Sequence, residues 1–290
     1  MTLDIQLKNI SLRFGKFDAL KDISLTMEGG KIHGLIGRNG AGKTSLLSLI
    51  AAFREASEGQ VEIGGDPVFE NPERMQQVAF VYEKNYTDEY DPFSSLIEFA
   101  ARYRPNFDEK YAEHLSKRFN LPIDKPVYKF SKGMQSAASV ILGLASRAPI
   151  TIFDEAYIGM DAPNRQVFYE ELLSDQAEHP RTIILSTHLV SEMDYLFDRV
   201  AIIDKGRLLL HEDADVLTAR GASITGTAEA VEQFTAGMNI LNEQKLGGVK
   251  SVMVYGELDE QQLLTAHKQG LEIGPVPLQD LFIHLTGEAV

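Results

Sequence analysis

With 290 residues and a net charge of −14 at neutral pH, the chain can form one large domain and a small one, and its acidity excludes a general electrostatic grip on DNA or RNA. From His211 onward it carries 12 Asp/Glu against 4 Lys/Arg, which excludes a basic membrane-binding tail. It has no cysteine, so neither a disulfide framework nor a thiolate metal site is available.

The opening Met1-Thr2-Leu3-Asp4 lacks the basic and apolar regions of a secretory signal, and none is expected there. Residues 5–14 alternate in the manner of a strand, and residues 20–27 predict another. Gly29-Gly30 then turns the chain into an apolar run over 31–36. Residues 45–53 carry Leu46, Leu47, Leu49, Ile50 and Phe53, a helical apolar face. Short strands are predicted at 61–63 and 78–82, with Pro72 opening a helical turn between them. Residues 92–119 read as helical, punctuated by Pro105, and 136–146 as a helix of small residues ended by Pro149. The longest uncharged apolar-leaning stretch, 134–146, falls far short of the roughly 20 residues a spanning helix needs. Strands at 150–153 and 182–185 deliver Asp154-Glu155 and Ser186-Thr187-His188, and a third at 200–203 ends in the turn Asp204-Lys205-Gly206. Beyond His211 strand-like runs at 223–227 and 249–255 and helical patterns at 228–235 and 259–269 suffice for a small α/β appendage without a chemical motif.

The informative stretch is Gly37-Arg38-Asn39-Gly40-Ala41-Gly42-Lys43-Thr44, followed by Ser45. Its G-x-x-x-x-G-K-[ST] spacing sits between a predicted strand and a predicted helix, the context this phosphate cradle requires. Backbone N–H groups in such a loop converge on phosphate oxygens. Lys43 is expected to reach the terminal phosphates and the Thr44 hydroxyl to sit on Mg²⁺. Asp154 would hold the metal's hydration shell, and Glu155 would orient or deprotonate an attacking water. A surface acid pair is the other reading of these two. His188 can face the same crevice, where it would bond the γ-phosphate or the water; otherwise it is a satisfied structural histidine. Ser131, before an apolar helix, reads first as a helix cap.

In order and spacing these elements resemble the nucleotide-binding subunits of ATP-binding-cassette (ABC) transporters over residues 3–212. The resemblance rests on the phosphate loop, on Ser131-Lys132-Gly133-Met134-Gln135 as the signature loop, on Asp154-Glu155, on Gly159-Met160-Asp161 and on His188. The signature form and the closing residues 276–287 are similar to bacterial ABC-2-type exporter ATPases. The implied fold is an α/β P-loop NTPase of ABC type: a mixed sheet core, an antiparallel β subdomain, and a helical subdomain at about 88–147. It would occupy residues 1–212, with an accessory domain at 213–290.

The resemblance further implies ATP and Mg²⁺ as cofactors, and a second ABC ATPase subunit arranged head to tail, so that Ser131 and Gly133 of one copy face the phosphate loop of the other. Asp161 would couple the two sites and Phe14 would stack on adenine, although Phe14 also fits a core position. Catalytic roles fall to Lys43, Glu155 and His188, and metal contacts to Thr44, Asp154 and Glu83. Glu83 stands where the family usually has Gln, and Gln135-Ser136-Ala137 replaces a basic opening of the signature helix. The expected function is ATP hydrolysis driving export through a separate multi-span permease, touched by residues 86–106, on the cytoplasmic side of a bacterial plasma membrane. An importer ATPase and a soluble ATP-gated switch are the alternatives. Nucleic acid is not an expected partner: translation-type members carry two cassettes, and repair-type members carry a long coiled coil absent here.

Overall fold

The computed structural model describes residues 2–256 and 258–287. Two compact units emerge: residues up to His188 together with Ala201–His211, and Leu189–Val200 together with the chain from Glu212 onward.

In the first unit, strands β1 (Ile5–Phe14) and β2 (Phe17–Met27) pair antiparallel. Their alternation buries Ile5, Leu7, Ile10 and Leu12 of β1 and the opposed Met27, Leu25, Ile23 and Leu20 of β2 in one core. β3 (Ile32–Ile36) leads through the phosphate loop into α1 (Lys43–Ile50). β4 (Glu58–Ile63) and β5 (Asp66–Pro67) complete a four-stranded sheet in the order β2-β1-β4-β5. α2 (Pro72–Met75) starts on an Asn71 cap with proline in its first turn, where the missing N–H costs nothing, and precedes β6 (Val78–Tyr82). α3 (Phe93–Tyr103) stops before Pro105, and α4 (Glu109–Arg118) starts where the Asp108 carboxylate accepts the Tyr111 N–H. α5 (Lys132–Ala145) leads to β7 (Ile150–Asp154); α6 (Ala162–Glu178) leads to β8 (Thr182–Thr187).

After α7 (Val190–Met193) come β9 (Arg199–Asp204) and β10 (Arg207–Asp213). They close a six-stranded sheet in the order β10-β9-β3-β8-β7-β6, whose members β3, β8, β7 and β6 run parallel. β3, β7 and β8 are buried at every position, as strands covered on both faces must be. One continuous core links the two sheets through Leu46, Leu47 and Ile50 of α1. Each such side chain contributes about 1.5–3 kcal/mol by leaving water.

The second unit, which also holds α7, continues with α8 (Ala214–Ala219) and β11 (Gly221–Thr227). α9 (Ala228–Phe234), β12 (Asn239–Leu246), β13 (Val249–Tyr255), α10 (Glu260–Lys268), β14 (Glu272–Pro275) and α11 (Leu278–Leu285) follow. The order is β12-β13-β11-β14 with every pairing antiparallel, a split βαβ arrangement. Ala222, Ile224, Val252 and Val254 face the helices and pack with Val231, Ala266 and Leu271. On the opposite face Thr225 and Ser251 share a 2.8 Å hydroxyl bond. α11 is tied to β12 by Asn242 Nδ2 donating to Asp280 Oδ1 at 3.1 Å. Among the described residues no helix is long and apolar enough to cross a membrane.

Candidate active site

The fully buried β3 ends at Ile36, and the chain must then reverse into α1 within a few residues. Gly42, the residue before the helix, achieves this at φ +111°, a region that side chains with a Cβ rarely adopt. Arg38, Asn39 and Gly40 form the exposed crest, Ala41 is buried beneath it, Thr44 is exposed, and Ser45 is half-buried. Lys43 is only 5% exposed, yet its ammonium group has three partners. It donates to the carbonyls of Gly37 (2.7 Å) and Arg38 (3.3 Å), and lies 3.1 Å from Glu155 Oε1. Three donors meeting three acceptors is what makes burial of this charge tolerable.

The acid pair is built by two adjacent parallel strands. Asp154 ends β7 directly opposite Ser186 of β8. The Ser186 hydroxyl donates to Asp154 Oδ1 at 2.6 Å and accepts the Glu155 N–H at 3.0 Å, so one side chain fixes both acids. Glu155 itself sits at φ +49°, an uncommon conformation for a residue with a side chain. Oε1 lies 3.0 Å from His188 Nδ1 as well as beside Lys43. A carboxylate only accepts, so Nδ1 carries the proton in this contact. Desolvation raises the Glu155 pKa, but the His188 hydrogen bond and the Lys43 charge and hydrogen bond outweigh it, holding the carboxyl below the ordinary value of 4.5.

The remaining expected residues form a second group. The Ser131 hydroxyl accepts the Met134 N–H at 3.3 Å and caps α5. A Cβ on Gly133 would stand 2.6 Å from the Gly159 carbonyl, so the signature loop lies directly against the 159–161 segment. Ser136 Oγ reinforces that contact by donating to the Ile158 carbonyl at 2.6 Å. Asp161 caps α6 by accepting the Asn164 N–H. Glu83 is exposed and pairs with Lys132 Nζ at 2.7 Å, while lining one cleft with Glu155 and Gln135. Phe14, at the end of β1, is 43% exposed with the Arg54 guanidinium 5.1 Å above its ring. It is no core residue.

Sequence reasoning missed the role of Ser186; a small hydroxyl residue delivered beside a paired acid at a strand end is the signal. Arg54 over Phe14 and Lys132 on Glu83 carried no local signal at all. Among the described residues no group of three Asp, Glu or His could hold a metal ion unaided. The Thr44 hydroxyl and the Asp154 carboxylate are hard oxygen donors of the kind Mg²⁺ takes when phosphates and water complete its shell.

A phosphate loop whose lysine meets a paired acid, itself bonded to a strand-end histidine, defines a P-loop nucleoside triphosphatase. The comparisons narrow the class. A family model described as "ABC transporter" matches residues 20–157. The chain is 30% identical over 214 residues to the ABC transporter ATP-binding protein YtrB of Bacillus subtilis, covering 73% of each. It is also 30% identical to the taurine import ATP-binding protein TauB of Jannaschia, over 69% of this chain and 77% of the relative. The Nod factor export ATP-binding protein I of Cupriavidus metallidurans is 27% identical over 99% of this chain and 98% of its own. A solved structure of an ATP-binding subunit of an ABC transporter superposes with a TM-score of 0.66 at 24% identity, covering 73% of this chain and 91% of that one, and shows the same fold. This chain belongs to the ABC-transporter ATP-binding proteins, and it is an ATP-hydrolysing ABC ATPase.

Proposed function

We propose that this ATPase powers export through a separate membrane permease, with two cassettes closing on two ATP molecules and hydrolysis reopening them. The observation that favours the export direction is the match over 99% of this chain and 98% of the relative to a Nod factor export protein; import relatives match over 69% (taurine) and 89% (spermidine/putrescine) of this chain. Importer coupling is the second reading and rests on those two relatives.

Within the site, Lys43 would exchange its carbonyl and carboxylate partners for the terminal phosphates, releasing Glu155 to orient a water and accept its proton. His188, hydrogen-bonded to Glu155, would hold that carboxylate in place and turn toward the γ-phosphate. Thr44 and Asp154 would hold Mg²⁺, with Glu83 reachable once Lys132 lets go; the ion would supply charge neutralisation on the phosphates. Ser131, Gly133 and Asp161, gathered on a second surface, would meet the phosphate loop of the other cassette, and the exposed Phe14 would take the base.

A groove of about 770 Å³ supports the permease contact. Its walls include Tyr82, Leu96, Phe99, Tyr103 and Leu142. Phe99 and Tyr103 are exposed, with their rings 4.6 Å apart. Tyr86 and Phe93, by contrast, are buried, and Tyr86 is bonded to Ser139 at 2.8 Å. Tyr86 lines the groove without projecting from it, and Phe93 belongs to the core. The test is to isolate Glu155→Gln with ATP and Mg²⁺ from detergent-solubilised host membranes. A stoichiometric multi-span protein is expected; recovery only from the soluble fraction would overturn the transport reading, and the substrate moved by the recovered permease decides its direction.

A further inference from the structure

The C-terminal unit ends its sheet on β12, a strand with no neighbour on its outer side among the described residues. Its last four residues, Glu243 to Leu246, are all exposed, and Leu246 is 87% exposed. A row of open backbone donors and acceptors ending in a bare leucine is a template for another strand. The pairing of β12 with β13 is regular from Asn242 to Leu246 and shifts register between Ile240 and Asn242. That irregularity twists the edge and confines a flat pairing surface to residues 242–246.

We propose that β12 pairs antiparallel with β12 of a second copy of this chain, making one continuous sheet from two C-terminal units. The partner follows from symmetry and charge. A two-fold axis perpendicular to a sheet keeps each side chain on its own face, so opposed residues must be an even number apart and one residue must oppose itself. Centring on Glu243 would oppose two carboxylates. Centring on Gln244 sets Glu243 against Lys245 of the other copy twice, and sets the bare Leu246 against Asn242, using the whole regular segment. Opposite charges across a strand pair stabilise and like charges oppose it. The pairing needs neither ATP nor the phosphate loop, so it is independent of the cassette closure proposed above.

The absence of native cysteine makes the register directly readable. In the full-length, nucleotide-free protein, Gln244→Cys is expected to form a disulfide-linked dimer under mild oxidation, because self-opposed residues come within bridging distance. Glu243→Cys and Lys245→Cys should each form no disulfide-linked dimer alone and cross-link when mixed. Adding Lys245→Glu to Gln244→Cys should slow cross-linking by roughly tenfold through two like-charge pairs. All three positions are exposed, so folding is not at stake. Equal cross-linking by the three single variants, or none by Gln244→Cys, would overturn the proposal.

Discussion

The two units solve the same folding problem under different constraints. The nucleotide unit accepts local strain and buried charge: Gly42 at φ +111°, Glu155 at φ +49°, and a lysine almost sealed from water. The C-terminal unit carries nothing comparable in its core, where Ala222, Ile224, Val231, Val252 and Val254 form an apolar layer under two capped helices. Chemistry leaves marks that packing does not, because a phosphate cradle demands particular residues at particular spacings, whereas an apolar layer demands only size and period. Changes in the first unit should therefore be felt in turnover, and changes in the second in stability alone.

The largest effect expected is that of Lys43→Ala. It removes the proposed phosphate contact and leaves Glu155 without its cation, so ATP turnover should fall at least about 100-fold, read as phosphate release at saturating ATP. Survival of turnover would show that the Lys43–Glu155 contact is incidental. Ile224→Ala hollows the second core and should lower its stability by about 2–5 kcal/mol in denaturant melts, with KM for ATP unchanged; a shifted KM would break the separation of the two units. Ser186→Ala leaves the Asp154 oxygen and the Glu155 N–H without their shared partner. About 1–3 kcal/mol should be lost, appearing as a lower kcat. The smallest effect is at the exposed pair: Lys132→Ala should cost under about 1 kcal/mol in a thermal melt and respond to salt. Acid sharpens the same contrast. Because the folded Glu155 pKa lies below its unfolded value, its stabilisation is complete above about pH 4.5 and is lost as the pH falls through the folded value. Glu155→Gln should flatten that part of the stability profile, whereas Ile224→Ala should not.

How much of this was legible follows the same division. The phosphate loop, the acid pair and His188 stand out in the sequence, and the structure sets Glu155 Oε1 3.1 Å from Lys43 Nζ and 3.0 Å from His188 Nδ1. α6 escaped, although Asp161 and Pro163 mark its start. Its buried stripe runs Phe168, Glu171, Leu172, Asp175, and the two acids interrupt the apolar period. They are buried because Arg118 meets Glu171 at 2.9 Å and Arg181 meets Asp175 at 2.6 Å, with Arg147 also on Asp175. Arg118 and Arg147, far along the chain from the acids they meet, cannot be read from a local pattern. β12 escaped for the opposite reason: as an exposed edge it has no buried face to impose alternation. The helical faces of α9 and α10, which do bury one side, were readable in a segment without any motif.

In the proposed mechanism Glu155 carries the water-activating step, and ATP binding does not depend on it. Wild-type protein and Glu155→Gln should be mixed with ATP and Mg²⁺, freed of unbound nucleotide, and the bound nucleotide identified by chromatography. Intact ATP retained by the variant while the wild type holds or has released ADP is the predicted result. ADP on the variant, formed at the wild-type rate, would contradict it and place the step on another residue.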